Sequence, residues 1–283
     1  MMTGKTQNLA VIGCPVEHSL SPAMQNTAIA AAGVDFAYIA LKVLPECLAL
    51  AVAGLRATNF RGFNVTIPHK QTIMPLLDEV TDEARKIGAV NTVVNNDGKL
   101  IGYNTDAEGF VAGLIAADCL PQGKKAVILG AGGAARAVMY GLLKNGANLV
   151  VVGARNSNKA EALASDFADM GDTFGVAFAD KRFAFATSEA DLFINATPLG
   201  MTGQTKMMPP IDWETVKPSA TFYDLIYTPA ETKFLREAKQ RGHKAINGEL
   251  MLAAQGAAAF KLWTGQDADT DKMKKTLREC LNS

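Results

Sequence analysis

Apolar runs alternate with helical patterns along nearly the whole chain, which is the mark of α/β architecture. Residues 8–13 (NLAVIG) read as a short apolar strand. A loop follows, then SPAMQNTAIAAAG, in which Ser21 fits an N-cap, Pro22 the first helical position and Gly33 the C′ residue. Residues 36–43 (FAYIALKV) alternate as a strand, PECLALAVAGLRATN is helical, and GFNVTIP is the next strand, with Phe63, Val65 and Ile67 alternating against Asn64 and Thr66. TDEARKIG predicts a helix before AVNTVVNNDGKLIGYNTD, a hairpin with Asn96-Asp97-Gly98 as its turn.

A second series begins at KKAVILG (124–130). It continues through a long helix, GANLVVVGAR (146–155), DLFINAT (191–197) and TFYDLIY (221–227), with the loop PLGMTGQTKMMPP between the last two strands. The break between the series falls within 107–123. No internal repeat or low-complexity segment interrupts either one. The chain closes on a strongly helical stretch (248–265) and a charged final helix, a tail that pattern alone assigns to neither series.

Composition narrows the class. At 283 residues the chain has room for about two domains, and 48% hydrophobic with 20% charged residues excludes general disorder. Lys+Arg and Asp+Glu both total 28, so there is no global electrostatic case for nucleic acid or an anionic membrane. Cys14, Cys47, Cys119 and Cys280 are scattered, as are His18, His69 and His243. Neither set has metal-site spacing, so the expectation is no metal and reduced thiols in a cytoplasmic protein. LAVIGC (9–14) invites a lipoprotein-signal reading, but its apolar stretch is too short and Thr6, Gln7 and Asn8 separate it from Lys5. No run has the length of a membrane span.

VILGAGGAARAV carries Gly130-x-Gly132-x-x-Ala135 between a strand and a helix, the context a dinucleotide turn requires. Gly130 permits the tight turn, Gly132 lets backbone approach a pyrophosphate, and Ala135 allows close helix–strand packing. The plain alternative is a glycine-rich turn that binds nothing. An NAD site places Asp or Glu about 20 residues on, at the end of the next strand. Here VVVGARNSNK offers no acid but Arg155, with Asn156, Asn158 and Lys159 close behind. A guanidinium suits a 2′-phosphate, so NADP is favoured, against the alternative of an ordinary surface arginine.

Small polar residues crowd the strand ends of the first series: Ser19, Ser21, Asn64, Thr66, Asn91, Thr92, Asn104, Thr105 and Asp106. Each has a local explanation; Ser21 and Asp106 could simply cap helices and Asn91 could be a turn residue. Together they suit a polyhydroxylated ligand whose carboxylate sits near Ser19 and Ser21. Lys70 and Asp106 are the titratable pair. Oxidising a secondary alcohol needs a hydride acceptor and a group to take the hydroxyl proton. A lysine can do the latter where burial lowers its pKa, and a neighbouring carboxylate opposes that shift while holding the ammonium.

With these residues in view, the chain resembles the shikimate dehydrogenase family, with its quinate/shikimate relatives, over essentially its full length. The motifs run in the family's order: IGCPVEHSLSPAMQN (12–26), GFNVTIPHK (62–70), IGAVNTV (87–93), GYNTD (102–106), GAGGAARA (130–137), INATPLGM (194–201), YDLIYTP (223–229) and NGELMLAAQGAAAF (247–260). The resemblance implies NADPH-dependent, reversible reduction of 3-dehydroshikimate to shikimate, a step toward chorismate and the aromatic amino acids. It implies two domains, a substrate-binding one of 1–107 plus 247–283 and a Rossmann-type NADP-binding one of 108–246, with the active site in the cleft between them. Lys70 and Asp106 would be catalytic. Ser19 and Ser21 would bind the substrate carboxylate, Asn64, Thr66, Asn91, Asp106 and Gln255 the ring hydroxyls, and Tyr227 would line the site. The cofactor would contact Gly130, Ala131, Gly132, Gly133, Ala134, Arg155, Asn156, Thr197, Ile226, Gly248 and Met251. Taken without the family, Gln255 is equally a helix-core residue.

Two positions depart from the family pattern: Ala107 stands where a glycine is usual, and Ala154-Arg155-Asn156 replaces Asn-Arg-Thr. NAD therefore stays open beside NADP, as does quinate beside shikimate, and a monomer beside a homodimer. The competing classes are a non-catalytic NADP-responsive binding protein on this scaffold, a dehydrogenase of similar layout such as a folate-linked one, and a hydrolase built on His18-Ser19. The pair Lys70 and Asp106 argues against the first. The Ser19/Ser21/Asn64/Gln255 combination argues against the second, and the absence of an acid to orient His18 against the third.

Overall fold

The N-terminal apolar run becomes strand β1 (Gln7–Gly13), which passes from two exposed residues to five buried ones because parallel neighbours flank it on both sides. The structure, a computed structural model, describes residues 2–282. The chain forms two units, one running up to Gly109 and resuming from Ala253 onward, the other Phe110–Leu252.

In the first unit β1 leads to helix α1 (Ser21–Ala32), strand β2 (Phe36–Lys42), helix α2 (Leu48–Ala57) and strand β3 (Gly62–Val65). Strand β4 (Glu79–Val80), helix α3 (Asp82–Ile87), the hairpin strands β5 (Thr92–Asn96) and β6 (Lys99–Tyr103), and helix α4 (Asp106–Ala116) follow. The sheet is mixed, in the order β2-β1-β3-β5-β6-β4. At the hairpin turn Asp97 and Gly98 both have positive φ, 50° and 91°, the mirror-image turn that matches strand twist.

Three local expectations need correcting. Helix α1 does end on a left-handed Gly33, but Leu20 occupies its N-cap and Ser21 is already helical. The hydroxyl that reaches back is that of Ser19, which accepts from the Ser21 amide at 3.3 Å. Asp106 likewise does not cap α4. It is the helix's first residue, and Asn104 Oδ1 accepts from the Asp106 and Ala107 amides at 3.0 and 3.4 Å. Finally, β3 stops at Val65 and all four of its residues are buried, since β1 and β5 cover both its edges. Ile67 falls in the turn and is 59% exposed.

The second unit contains β7 (Lys125–Leu129), α5 (Gly133–Lys144), β8 (Leu149–Ala154), α6 (Ser157–Ser165), β9 (Thr173–Ala177), α7 (Lys181–Glu189), β10 (Leu192–Asn195), β11 (Thr221–Asp224), α8 (Lys233–Gln240) and β12 (Lys244–Ile246). Every pairing is parallel, in the order β9-β8-β7-β10-β11-β12, the doubly wound order of a Rossmann-type fold. Neighbouring residues feed opposite layers. Ile128, Val152 and Ile194 pack with Leu142 on one face; Val127, Val151 and Phe193 pack with Phe222 on the other. Both faces carry helices, so the strands read as continuous apolar runs.

The chain closes with α9 (Glu249–Thr264) and α10 (Thr270–Asn282). Their residues from Ala253 onward belong to the first unit. The Trp263 indole donates to Val93 O at 2.9 Å, Gln25 Nε2 donates to Gly256 O at 2.9 Å, and the Thr27 and Thr276 hydroxyls meet at 3.0 Å. A Cβ on Gly62 would collide with the Trp263 ring and Val93 O, so only glycine lets the indole lie against β3. Among the described residues no helix is long and apolar enough to cross a membrane, and no group of three or more His, Cys, Asp or Glu could hold a metal ion.

Candidate active site

Lys70 follows the turn after β3, past the cis Ile67–Pro68 peptide, and its carbonyl accepts from Val90 N at 2.7 Å. Its Nζ donates to Asp106 Oδ2 at 2.5 Å, with only 15% and 6% of the two side chains exposed. Asp106 starts α4, where the helix N-terminus favours a negative charge. Its other oxygen accepts from Asn91 Nδ2 at 2.9 Å. Asn91 Nδ2 also reaches Thr105 Oγ1 at 2.9 Å and Gln255 Oε1 at 3.5 Å, and Asn91 Oδ1 accepts from the Thr105 amide at 2.8 Å. Asn64 joins from β3, donating to Asn91 O at 3.1 Å and Thr92 Oγ1 at 3.0 Å. Hydrogen bonds thus bring Asn64, Lys70, Asn91, Asp106 and Gln255 into one network of one ion pair and several neutral groups.

The remaining predicted substrate residues are placed differently. Ser19 and Ser21 stand at the start of α1. Thr66 lies just past β3, its methyl against Gly13, where a Cβ would collide with it. Tyr227 belongs to the second unit, three residues beyond β11.

One member of the network escaped the sequence reading. Tyr38, on β2, is 2% exposed and donates from its hydroxyl to Asn64 Oδ1 at 2.6 Å. It also hydrogen-bonds the Ser21 side chain, and burial pushes its phenol well above the ordinary value, so it stays a donor. The available signal was a polar-tipped aromatic at an inward position of FAYIALK.

In the second unit the strand order reverses between β7 and β10, and the dinucleotide turn sits at the carboxyl end of β7. Gly130 has φ +110°, and a Cβ there would meet the Thr197 methyl at 3.0 Å and Ala196 O at 3.1 Å. Gly132 is the N-cap of α5, with open space where a Cβ would stand. Gly133 and Ala134 open the helix, Ala131 precedes it half-buried, and Ala135 is fully buried against the sheet. A pyrophosphate fits here, because backbone is accessible at Gly132 and the free amides of a helix N-terminus are at hand. Arg155 and Asn156 lie exposed just beyond β8. Asn156 Oδ1 accepts from Lys159 N at 3.3 Å and caps α6, directly after Arg155 in the chain. This donor set with no carboxylate in residues 155–160 fits a 2′-phosphate.

Ile226, Gly248 and Met251 cluster in the same unit. Gly248 N donates to Ile226 O at 3.1 Å, a Cβ on Gly248 would strike the Leu225 carbonyl, and Met251 is the third residue of α9, which starts just after Gly248. A cavity of about 530 Å³, lined by Lys125, Val127, Val151, Phe174 and Phe185, opens at the amino ends of β7, β8 and β9 and contains none of the predicted site residues.

Known proteins match this chain along nearly its whole length. Residues 11–93 match the shikimate dehydrogenase substrate binding domain, residues 115–198 the shikimate / quinate 5-dehydrogenase family, and residues 248–278 the shikimate 5′-dehydrogenase C-terminal domain. The NADP(+) shikimate dehydrogenase of Desulforamulus reducens is 45% identical over 281 residues, covering 98% of this chain and 97% of its own. Among solved structures, shikimate 5-dehydrogenase from Thermus thermophilus, in complex with NADP(H) and shikimate, superposes with a TM-score of 0.87 at 40% identity, covering 97% of this chain and 100% of its own. The Listeria monocytogenes enzyme, in complex with shikimate and NAD, gives 0.88 at 34% identity, covering 97% of each chain. With full-length matches at this identity, the chain belongs to the shikimate dehydrogenase family.

Proposed function

We propose that this chain is an NADP-dependent shikimate dehydrogenase, interconverting 3-dehydroshikimate and shikimate in the cytoplasm. The observation that carries this reading is the 2.5 Å bond between Lys70 and Asp106 within a network of neutral donors and acceptors. That is the chemistry needed to move one proton at one oxygen of a small molecule rich in hydroxyls.

When bound, the reduced nicotinamide supplies a hydride to the carbonyl carbon. As the carbonyl becomes an alkoxide, the Lys70 ammonium donates a proton to its oxygen; in the oxidative direction the neutral amine takes that proton back. Asp106 aims the Lys70 side chain and, through Asn91, is itself held in place. Asn64, Thr66, Asn91, Asp106 and Gln255 contact the ring hydroxyls, and Ser19 and Ser21 take the carboxylate beside the first turn of α1. Tyr227 is assigned to substrate binding as well.

Substrate binding is otherwise assigned to the unit that ends at Gly109 and resumes at Ala253, and dinucleotide binding to Phe110–Leu252. There Gly130, Ala131, Gly132, Gly133 and Ala134 surround the pyrophosphate, Arg155 and Asn156 the 2′-phosphate, and Thr197, Ile226, Gly248 and Met251 the nicotinamide half. Steady-state kinetics with shikimate and quinate, each against NADP and NAD, tests the reading. Turnover should be fastest with shikimate and NADP; binding of both ligands without turnover would leave only a binding protein.

A further inference from the structure

Asn195 and Asp224 are the last residues of β10 and β11, directly opposite one another in the parallel register. Both are completely buried. Asp224 takes its hydrogen bonds from neutral donors: Asn195 Nδ2 and Ile226 N, each at 3.0 Å to Oδ1, and Thr232 Oγ1 at 2.6 Å to Oδ2. A buried carboxyl without a cation is a liability to the fold. Apolar residues would fill the space more favourably unless the group is needed for something else.

The connections suggest what that is. Asn195 Oδ1 accepts from the Thr197 amide at 3.0 Å and from the Thr197 hydroxyl at 2.7 Å, while Asn195 Nδ2 also donates to Leu199 O at 3.1 Å. The Thr197 methyl thus held is the group that faces Gly130 of the dinucleotide turn. On the other side, Asp224 fixes the Ile226 amide, and the Ile226 carbonyl accepts from Gly248 N at 3.1 Å. Thr232, bound to the second carboxylate oxygen, caps α8 through Leu235 N at 3.3 Å. One side-chain pair therefore ties the segment after β10 to the segment after β11 and, through them, reaches Gly130 and Gly248.

We infer that Asn195 and Asp224 form a positioning pair for the dinucleotide, setting the Thr197 and Ile226 segments in their cofactor-binding geometry before the cofactor arrives. This rests on the proposed reading of Thr197 and Ile226 as cofactor contacts. Neither member of the pair touches the ligand; each acts through its neighbours.

The test uses the full chain and NADPH as probe, with binary Kd from quenching of protein fluorescence and KM for both substrates. Asp224→Ala removes both oxygens and should raise Kd and KM for NADPH by roughly tenfold or more, with KM for shikimate unmoved. Asp224→Asn keeps an oxygen for Asn195 and Ile226 and should return NADPH affinity to within about threefold of wild type. If Asp224→Ala does not fold, Asn195→Ala cuts the tie from the β10 side and carries the same tenfold expectation. A folded Asp224→Ala or Asn195→Ala protein with wild-type NADPH affinity, whatever its Tm, overturns the inference, as does an equal loss in Asp224→Asn. A wild-type chain that binds no NADPH would instead sink the proposed function, and the inference with it.

Discussion

The Tyr38 hydroxyl donates to Asn64 Oδ1 at 2.6 Å, from a strand that holds no other residue of the network. Because both of Asn64's amide hydrogens are spent on Asn91 O and Thr92 Oγ1, Tyr38 settles which way round the amide sits. Tyr38→Phe leaves that oxygen buried without its donor. We expect KM for shikimate to rise about tenfold and stability to fall by about 1–3 kcal/mol. Kinetics together with thermal unfolding check this, and an unchanged KM would reduce Tyr38 to a packing residue.

Lys70→Ala removes the proposed proton donor while leaving Asn64, Asn91 and Gln255 unsubstituted. It should lower kcat by roughly 100- to 10,000-fold with shikimate still bound. Calorimetric titration with shikimate beside turnover assays separates the two effects; near-normal kcat would end the proton-transfer role.

Arg155→Ala should weaken NADPH by about ten- to a hundredfold, the worth of a charge-assisted contact, and NADH far less. Parallel KM values decide it. Equal loss for both cofactors would show that Arg155 does not read the 2′-phosphate.

Burial pushes the Asp224 carboxyl from 3.8 up to about 6. Between these values the folded state holds a proton that the unfolded state has released, so this group's contribution to stability falls as pH rises from 4 to 6 and is then level. The size of the fall is about 3 kcal/mol. Asp224→Asn cannot titrate, so its Tm should gain on that of wild type across this window. A constant difference in Tm from pH 4 to 7 would contradict a raised carboxyl.

Gly62→Ala should destabilise the first unit by about 1–3 kcal/mol, because the new methyl group competes with Trp263 for one space. Thermal unfolding reads this directly. An unchanged Tm would mean the indole moves aside without loss.

What could be read from the sequence was whatever local periodicity and special backbone positions specify. The strand–turn–helix at Gly130, the left-handed Gly33 and the Asp97-Gly98 hairpin each follow from chemistry confined to a few residues. Strands β9 and β12 were passed over: both lie at the edges of their sheet, where the apolar run is short and the pattern weak. Ser21 and Asp106 are not the caps their positions suggest, because neighbouring Ser19 and Asn104 offer equivalent oxygens and only the loop's path selects between them. Tyr38 was invisible for a different reason. Its importance comes from Asn64, brought beside it by a sheet order in which β1 separates β2 from β3.

The tail's attachment to the first unit has a consequence for how the molecule is made. A ribosome that has reached Leu252 has produced Lys70, Asn91 and Asp106 but neither Gln255 nor Trp263. The second unit can complete itself on the nascent chain, while the first must wait with Gly62 uncovered until synthesis ends. Its pairing of Trp263 with Val93, 170 residues apart in the chain, is a non-local closure of the slow kind. Premature termination between Leu252 and Gln255 would therefore yield a polypeptide with a whole second unit, in which Gly62 lacks its covering indole and Asn91 lacks Gln255.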